Sequence, residues 1–511
     1  MPRRHTSSAA GALAAALTVA VLAPAAAQDA AGPPLRGSIG AQDATDNSAS
    51  GAAAPNNLAD DSSLMPAPPT PPPPLGGLGD ERGEPIPAVP EFGITNAAGL
   101  PLIEPPSVDD DLENLPLPPE GHELDPYVPI GMKIGSFLLF TEAEIGTILT
   151  DNVLWTRTNP QSDAAIRVAP SVRLESNWSR HLFSASFSAD RSWYKDFEVE
   201  DDKTYFARLG GRLDVTRRTH LDLGLGKSQT QGGRNSINLT DITGIQTNIQ
   251  EQHITAGADH TFNRLTLRLE GGVADYNYED LAGTQFGIID PAVQAIIPTR
   301  DVRDYREDTL TLRGSYELQP QMGVFVEGGI SQEVYRQPVG VDGIRRDSSG
   351  YELLTGMTFA INSTLTGEVS VGWGEQTSID EARAPIEGVL LNADIIWRPT
   401  PMTMVEFLAR SEVSTSLLVD SLGAIDRFYG LSLQHAFWRY LVVRGFGSYE
   451  IADFAGSTQV DERIKGGASA EYYFNPTVSI YARYEHADFW STDRFSDVNQ
   501  NEVRIGMRIR H

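Results

Sequence analysis

The feature that most constrains this chain is strict period-two alternation sustained over long segments. From Ile166 to Trp178, Ile166, Val168, Pro170, Val172, Leu174 and Trp178 fall on one face, and Arg167, Ser171, Arg173, Glu175 and Asn177 on the other. Successive side chains of an extended chain point to opposite sides. Thirteen such residues exceed the usual strand of a soluble sheet. Tilted strands that cross a bilayer need about 9–11 residues each. The pattern recurs. Phe183, Ala185, Phe187, Ala189 and Trp193 share a face, and Leu265, Leu267, Leu269 and Val273 oppose Thr266, Arg268 and Glu270. Leu310, Leu312, Tyr316 and Leu318 oppose Arg313, Ser315 and Glu317, and Val503, Ile505, Met507 and Ile509 oppose Glu502, Arg504 and Arg508.

The connections alternate in length. Short polar breaks fall near residues 179–180, 217–218, 263–264, 319–320, 362–363, 400–401, 438–439 and 475–476. Longer ones cover 150–163, 196–202, 230–248, 279–303, 336–348, 378–387, 415–424, 452–462 and 487–499. Eight turns and nine loops join about eighteen strands, an even number as single-chain bacterial barrels have. The fold class expected is all-β: a transmembrane antiparallel up-and-down β-barrel. Because the first and last connections are both long, both termini belong on the short-turn side, the periplasm. A bilayer admits closed barrels among β structures because an open edge leaves backbone groups unpaired in lipid. Sandwich strands are shorter, and no blade repeat of a propeller is present. Trp155, Trp178, Trp193, Tyr194, Tyr276, Tyr278, Trp397, Phe437, Trp438, Tyr440 and Trp490 gather near strand ends, as interfacial girdles do.

Hydropathy alone would read this chain as soluble, because its mean hydropathy is −0.25. No run beyond the N-terminal region approaches the roughly 18 apolar residues of a spanning helix. Barrel strands hide their lipid face in alternate positions and escape that test.

Three regions follow. Residues 1–27 read as a cleaved signal peptide: Arg3 and Arg4, an apolar stretch to Ala23, then small Ala25 and Ala27 before Gln28. Residues 28–126 read as a disordered periplasmic arm with 17 acids against two bases and a proline run at 68–74. Such a segment buries too little apolar surface to offset its ordering entropy. It is a tether, or a reach toward peptidoglycan or periplasmic export proteins. Residues 127–511 form the barrel, with 51 acids and 36 bases.

The stretch from Asp125 through Pro129, Gly131, Gly135 and Phe137, followed by Asp151 and Asn152, resembles the opening of the outer-membrane β-barrel porin family of alphaproteobacteria. In that family a Pro-x-Gly-x-x-x-Gly-x-Phe segment leads into the first strand, and an Asp-Asn pair follows. The resemblance covers roughly residues 125–511. It implies an outer-membrane barrel, in some members associated with surface polysaccharide export, and supplies no catalytic residues. Many barrels end in an aromatic residue read during assembly, whereas this sequence ends Arg508, Ile509, Arg510, His511.

The residues expected to line the lumen are Arg167, Arg173, Glu175, Arg208, Arg212, Asp214, Arg268, Glu270, Arg313, Glu317, Glu327, Glu368, Asp394, Arg444, Glu471, Arg483, Glu485 and Arg504. Opposed charges across a pore set a transverse field and ion selectivity; the same charges could instead form a salt-bridged lattice that satisfies a polar interior. Tyr276, Tyr278, Phe325, Phe446, Tyr473 and Tyr481 also fall inward and would suit sugars. The 279–303 loop, with its apolar stretch from Phe286 to Ile297, is the expected constriction or subunit latch.

Enzymatic chemistry is not expected. The nine histidines are scattered singly, and Gly210-Gly211 and Gly271-Gly272 lie mid-strand with no helix following, unlike phosphate loops. With no cysteine, disulfides and thiolate metal sites are out. No cofactor or metal is expected, and the net charge of −28 without a basic patch argues against nucleic acid. The expected partners are outer-membrane lipid, lipopolysaccharide and the barrel-assembly machinery. The leading function is a porin-like channel for passive or substrate-biased passage of small polar solutes. The alternatives are an outer-membrane component of polysaccharide export and a closed structural barrel anchored to the cell wall.

Overall fold

A computed structural model describes residues 127, 129, 131–232, 247–278, 304–337, 345–361, 364–380, 383–415, 421–492 and 497–511. The signal peptide, the arm and the apolar stretch from Phe286 to Ile297 lie outside the described residues.

A short strand β1 (Met132–Ile134) precedes eighteen long ones. These are β2 (Phe137–Thr150), β3 (Asp163–Ser176), β4 (Leu182–Tyr194), β5 (Lys203–Thr216), β6 (Thr219–Gly232) and β7 (Thr247–Phe262). Then come β8 (Leu265–Tyr278), β9 (Tyr305–Gln319), β10 (Met322–Tyr335), β11 (Ser348–Ile361), β12 (Leu365–Ser378) and β13 (Ile386–Thr400). The last are β14 (Thr403–Thr415), β15 (Gly423–Trp438), β16 (Leu441–Phe454), β17 (Val460–Tyr473), β18 (Val478–Ser491) and β19 (Val498–Arg510). Each pairs antiparallel with the next, and β19 pairs with β2 from Glu502↔Thr150 to Arg510↔Glu142. The result is a closed eighteen-stranded barrel, as the count of turns and loops requires.

The two faces of the wall separate by parity. Leu209, Leu213, Leu221, Leu223, Leu310, Leu312, Leu431 and Leu433 are exposed on the outside. Their immediate neighbours point inward. An exposed apolar face of this extent is stable only against hydrocarbon. At the short-turn end, Trp438, Tyr440, Tyr472 and Phe474 form a run of rings with centroids 5.8, 5.3 and 5.1 Å apart. This is one of the aromatic belts the sequence leads one to expect. At the long-loop end of β8, Tyr276 does not join a belt, since it points inward and stacks on Tyr305 at 4.6 Å.

The closure is reinforced by the motif at the start of the barrel. β19 leaves β2 at Glu142, and β1 pairs with the rest of β2 through Met132↔Leu139 and Ile134↔Phe137. β1 thus continues the line of β19. Gly131 (φ +71°) and Gly135 (φ +64°) occupy the left-handed region that the two bends demand. A Cβ on Gly131 would also stand 2.8 Å from the Phe140 ring. At the other end of β2, Asp151 accepts from the Asn501 backbone N–H (2.8 Å) and side-chain amide (2.6 Å). Asn152 donates to the carbonyls of Asn499 (2.8 Å) and Thr156 (2.9 Å), and accepts from the Thr156 N–H (3.0 Å). The Asp-Asn pair is therefore a clasp that ties the first loop to the last strand.

Candidate functional site: the inward face of the barrel

Seventeen of the eighteen expected lumen residues lie on the parity opposite the exposed apolar side chains of their strands; Arg444, on a strand with no exposed large apolar side chain, pairs with Gln434, which is on the parity opposite the exposed Leu431 and Leu433 of β15. What their neighbours do was less legible. Most are engaged in ion pairs along or between strands rather than standing free in a pore.

The largest group lies around the closure. Arg167 on β3 reaches Glu144 on β2 at 2.8 Å and Asp190 on β4 through its Nε at 2.6 Å. Arg508 on β19 reaches Glu144 at 2.5 Å, Glu471 on β17 at 3.0 Å and Glu142 on β2 at 3.1 Å. Ser479 donates to Glu471 at 2.5 Å. Two arginines thus bind four carboxylates across five strands. Charge-assisted pairs of this kind are stronger than neutral ones because each partner is ionised and well aligned.

A second group occupies β5 to β8. Arg268 bridges Asp222 (3.0 Å) and Glu270 (2.5 Å). His220 sits 2.8 Å from Asp259 and 3.7 Å from Asp214, which is itself 3.5 Å from Arg212. In a third, Arg313 on β9 holds Glu368 on β12 through two contacts of 2.6 and 3.0 Å, and Glu327 on β10 at 3.4 Å. Its guanidinium carbon lies 3.6 Å from the Phe325 ring centroid. Asp394 stands directly opposite Glu368 in the β12–β13 register.

The remaining candidates are more local. Arg173 pairs with Glu175 (2.8 Å) and lies over Phe140; Arg483 pairs with Glu485 (2.8 Å) and lies over Phe446. Arg504 pairs with Glu502, and Arg444 lies 3.6 Å from Glu406. Arg208 lies over Phe206. Glu317 is exposed at the short-turn end of β9.

Sequence reasoning missed several inward residues. Glu142, Glu144 and Asp190 complete the groups around Arg167 and Arg508. Arg463, with no exposed surface, pairs with Glu450. The signal for Glu142 and Glu144 was present, since they alternate with Ala143 and the exposed Ile145. In β17 it was obscured by Glu462, a charge on the outward parity whose carboxylate accepts from Tyr449 Oη at 2.6 Å.

Not all of the inward face is polar. Leu354 and Leu390, each 1% exposed, pack together, and Leu408 packs with Phe428 and Phe446. Among the described residues no cluster of His, Asp and Glu has metal-binding geometry.

No protein of curated function matches the sequence. Among solved structures, the chain resembles Pseudomonas aeruginosa OpdO at 12% identity and a TM-score of 0.40, covering 74% of this chain and 98% of that one. Pseudomonas aeruginosa OccK9 (OpdG) gives 11% and 0.40, covering 73% and 98%. The ferric citrate transporter FecA gives 9% and 0.36, covering 70% of this chain, which spans 61% of FecA's length. Likeness at that level carries no argument. The family comparison does: residues 125–511 match the family described as Putative beta-barrel porin 2, and the chain belongs to that family of outer-membrane β-barrels.

Proposed function

We propose that the protein is a channel for passive or substrate-biased passage of small polar solutes across the outer membrane. The observation that carries this is the closed eighteen-stranded wall with its polar, ion-paired inward face. A barrel of this strand number has room for an aqueous lumen. Rows of paired charges across that lumen give a transverse field that orients polar solutes. Over residues 127–511, 51 acids face 36 bases, which favours cations weakly. The long loops face the exterior, both termini lie in the periplasm, and the arm after Gln28 reaches peptidoglycan or periplasmic partners from there. Lipopolysaccharide surrounds the wall, and the assembly machinery inserts it.

The test is single-channel recording of the refolded mature protein in planar bilayers. Discrete nanosiemens-scale steps with a cation-selective reversal potential are expected. A second reading, the closed structural barrel, is favoured by inward side chains with almost no exposure, such as Leu354, Leu390 and Arg463. Electrical silence from a folded, heat-modifiable barrel would replace the channel reading with that one.

A further inference from the structure

One interface in the wall differs from the others. Between β13 and β14 the ladder starts at the short-turn end, at Thr400↔Thr403 and Trp397↔Val405, and stops at Ala393↔Ala409. Both strands continue beyond that point. β13 stays paired with β12 up to Ile386↔Gln376, and β14 with β15 up to Thr415↔Gly423. They simply cease to be each other's neighbours. Seven residues of β13, at a rise of about 3.3 Å each, leave roughly 23 Å of strand edge without a ladder partner. Two side-chain contacts bridge its lower end: the Ser411 N–H donates to Asn392 Oδ1 at 3.1 Å, and Ser411 Oγ donates to the Leu391 carbonyl at 3.1 Å.

The upper β14–β15 pair has turned inward. Val413 and Ile425 are cross-strand partners with the parity of the lipid-facing Leu431 and Leu433. Yet Ile425 is only 5% exposed and packs with Ile386, Leu422 and Val413. Gly374 and Gly388, directly paired across β12 and β13, form a notch on the inward face of those strands. Ile425 Cδ1 fills the space a side chain on Gly388 would take, and Val413 Cγ2 lies 3.5 Å from where a Cβ on Gly374 would stand. The outer face of one strand pair is therefore seated on the inner face of its neighbours, and the wall overlaps itself. At the rim, Arg383 Nη1 donates to the Ser421 carbonyl at 2.7 Å and holds the overlap shut.

We propose that the β13–β14 seam is a lateral opening of the barrel, closed here by the overlapped β14–β15 hairpin, and that its cargo is a single-chain amphipath with a long alkyl tail. Hydrophilic solutes travel along the axis and have no use for a slot into hydrocarbon; a tailed molecule dissolves on both sides of it. Barrels otherwise avoid an incomplete ladder at membrane depth because unpaired backbone groups are costly in lipid. The lining fits such a cargo. Ala393 and Ala409 keep the foot of the seam narrow and smooth. Leu390 and Leu408 give an apolar track on the inward side, and Arg410 supplies a charged group for a head. This route is separate from axial conduction and does not rest on it.

The absence of native cysteine makes the seam easy to lock. The full chain is expressed in a Gram-negative host lacking its own outer-membrane route for long-chain fatty acids, whose lipopolysaccharide leaflet slows spontaneous entry. The probe is radiolabelled oleate, with a small neutral sugar followed in parallel. Oleate uptake dependent on the protein is expected. Oxidation of the Asn392→Cys/Ser411→Cys variant should abolish it, and reduction should restore it. A second lock at the rim, Arg383→Cys/Ser421→Cys, serves if the first disulfide does not close. Gly388→Leu, which fills the notch and expels the hairpin, should raise oleate uptake. Sugar entry should be the same in the oxidised and reduced states of the lock. Oleate uptake that is absent, or indifferent to a lock confirmed by mass, would overturn the lateral opening. Loss of sugar entry alone would count against the axial channel and leave the seam standing.

Discussion

Two seams of this wall are built in opposite ways. At β2–β19 the chain brings its first and last long strands together, and each part of that junction is fastened. The ladder runs from Thr150 to Glu142, β1 completes the edge, and Asp151 with Asn152 ties the loop above to Asn499 and Asn501. Arg508 joins three carboxylates across the line, and Arg510 Nη2 donates to the Tyr127 carbonyl at 2.9 Å below it. At β13–β14, strands adjacent in sequence and joined by a two-residue turn part company halfway up. A junction between chain ends has the largest loop-closure entropy against it, so specific polar contacts concentrate there. A hairpin neighbour is held close by its turn, which leaves the upper half free to take another position.

The contrast can be broken from either side. The largest effect is expected from Arg508→Met, which leaves Glu142, Glu144 and Glu471 facing one another. Removing one partner of a largely buried ionic group costs about 3 kcal/mol or more, read as a lowered urea midpoint of the refolded barrel. Asn152→Ala removes the Asn152 side-chain bonds to Asn499 and Thr156 and leaves the Asp151 half of the clasp in place. A loss of about 2–3 kcal/mol is expected in the same assay, and amide exchange should rise first along β19. Gly131→Ala forces a side chain into the left-handed region and against Phe140, at a cost of about 1–3 kcal/mol; slower refolding into vesicles would be its second sign. The smallest effect is expected at the other seam. Asn392→Ala deletes one acceptor, worth about 1 kcal/mol, and should increase exchange of the Ser411 amide while leaving β19 protected. If Asn392→Ala proved as damaging as Asn152→Ala, the two seams would be equivalent and the contrast would fail.

Much of the wall was legible because a β-barrel repeats one simple rule. Leu310, Leu312 and Tyr316 had to face one medium and Arg313 and Ser315 another, and the turns between such runs alternate in length. The inward position of the eighteen candidates follows from that parity alone. Their partners did not follow. Arg313 finds Glu368 across three strand intervals, and Arg508 finds Glu471 two strands away, past the intervening β18. Which long side chains meet depends on stagger and curvature, to which a single strand's pattern is blind.

The amino-acid order by itself determined the alternation, the strand number and the two bends at Gly131 and Gly135, because these are properties of a few consecutive residues and their allowed backbone angles. It also placed the Asp-Asn pair, without saying what the pair holds. The tertiary structure alone decided that Asn152 reaches Asn499, that β1 completes the line of β19, and that Val413 and Ile425 sit in the notch of Gly374 and Gly388. Val413 and Ile425 obey the same period-two rule as the lipid-facing Leu431 and Leu433, so nothing in their own strands marks them as buried. Only the inward turn of the whole strand pair does, and that depends on shape at two glycines far away in the chain.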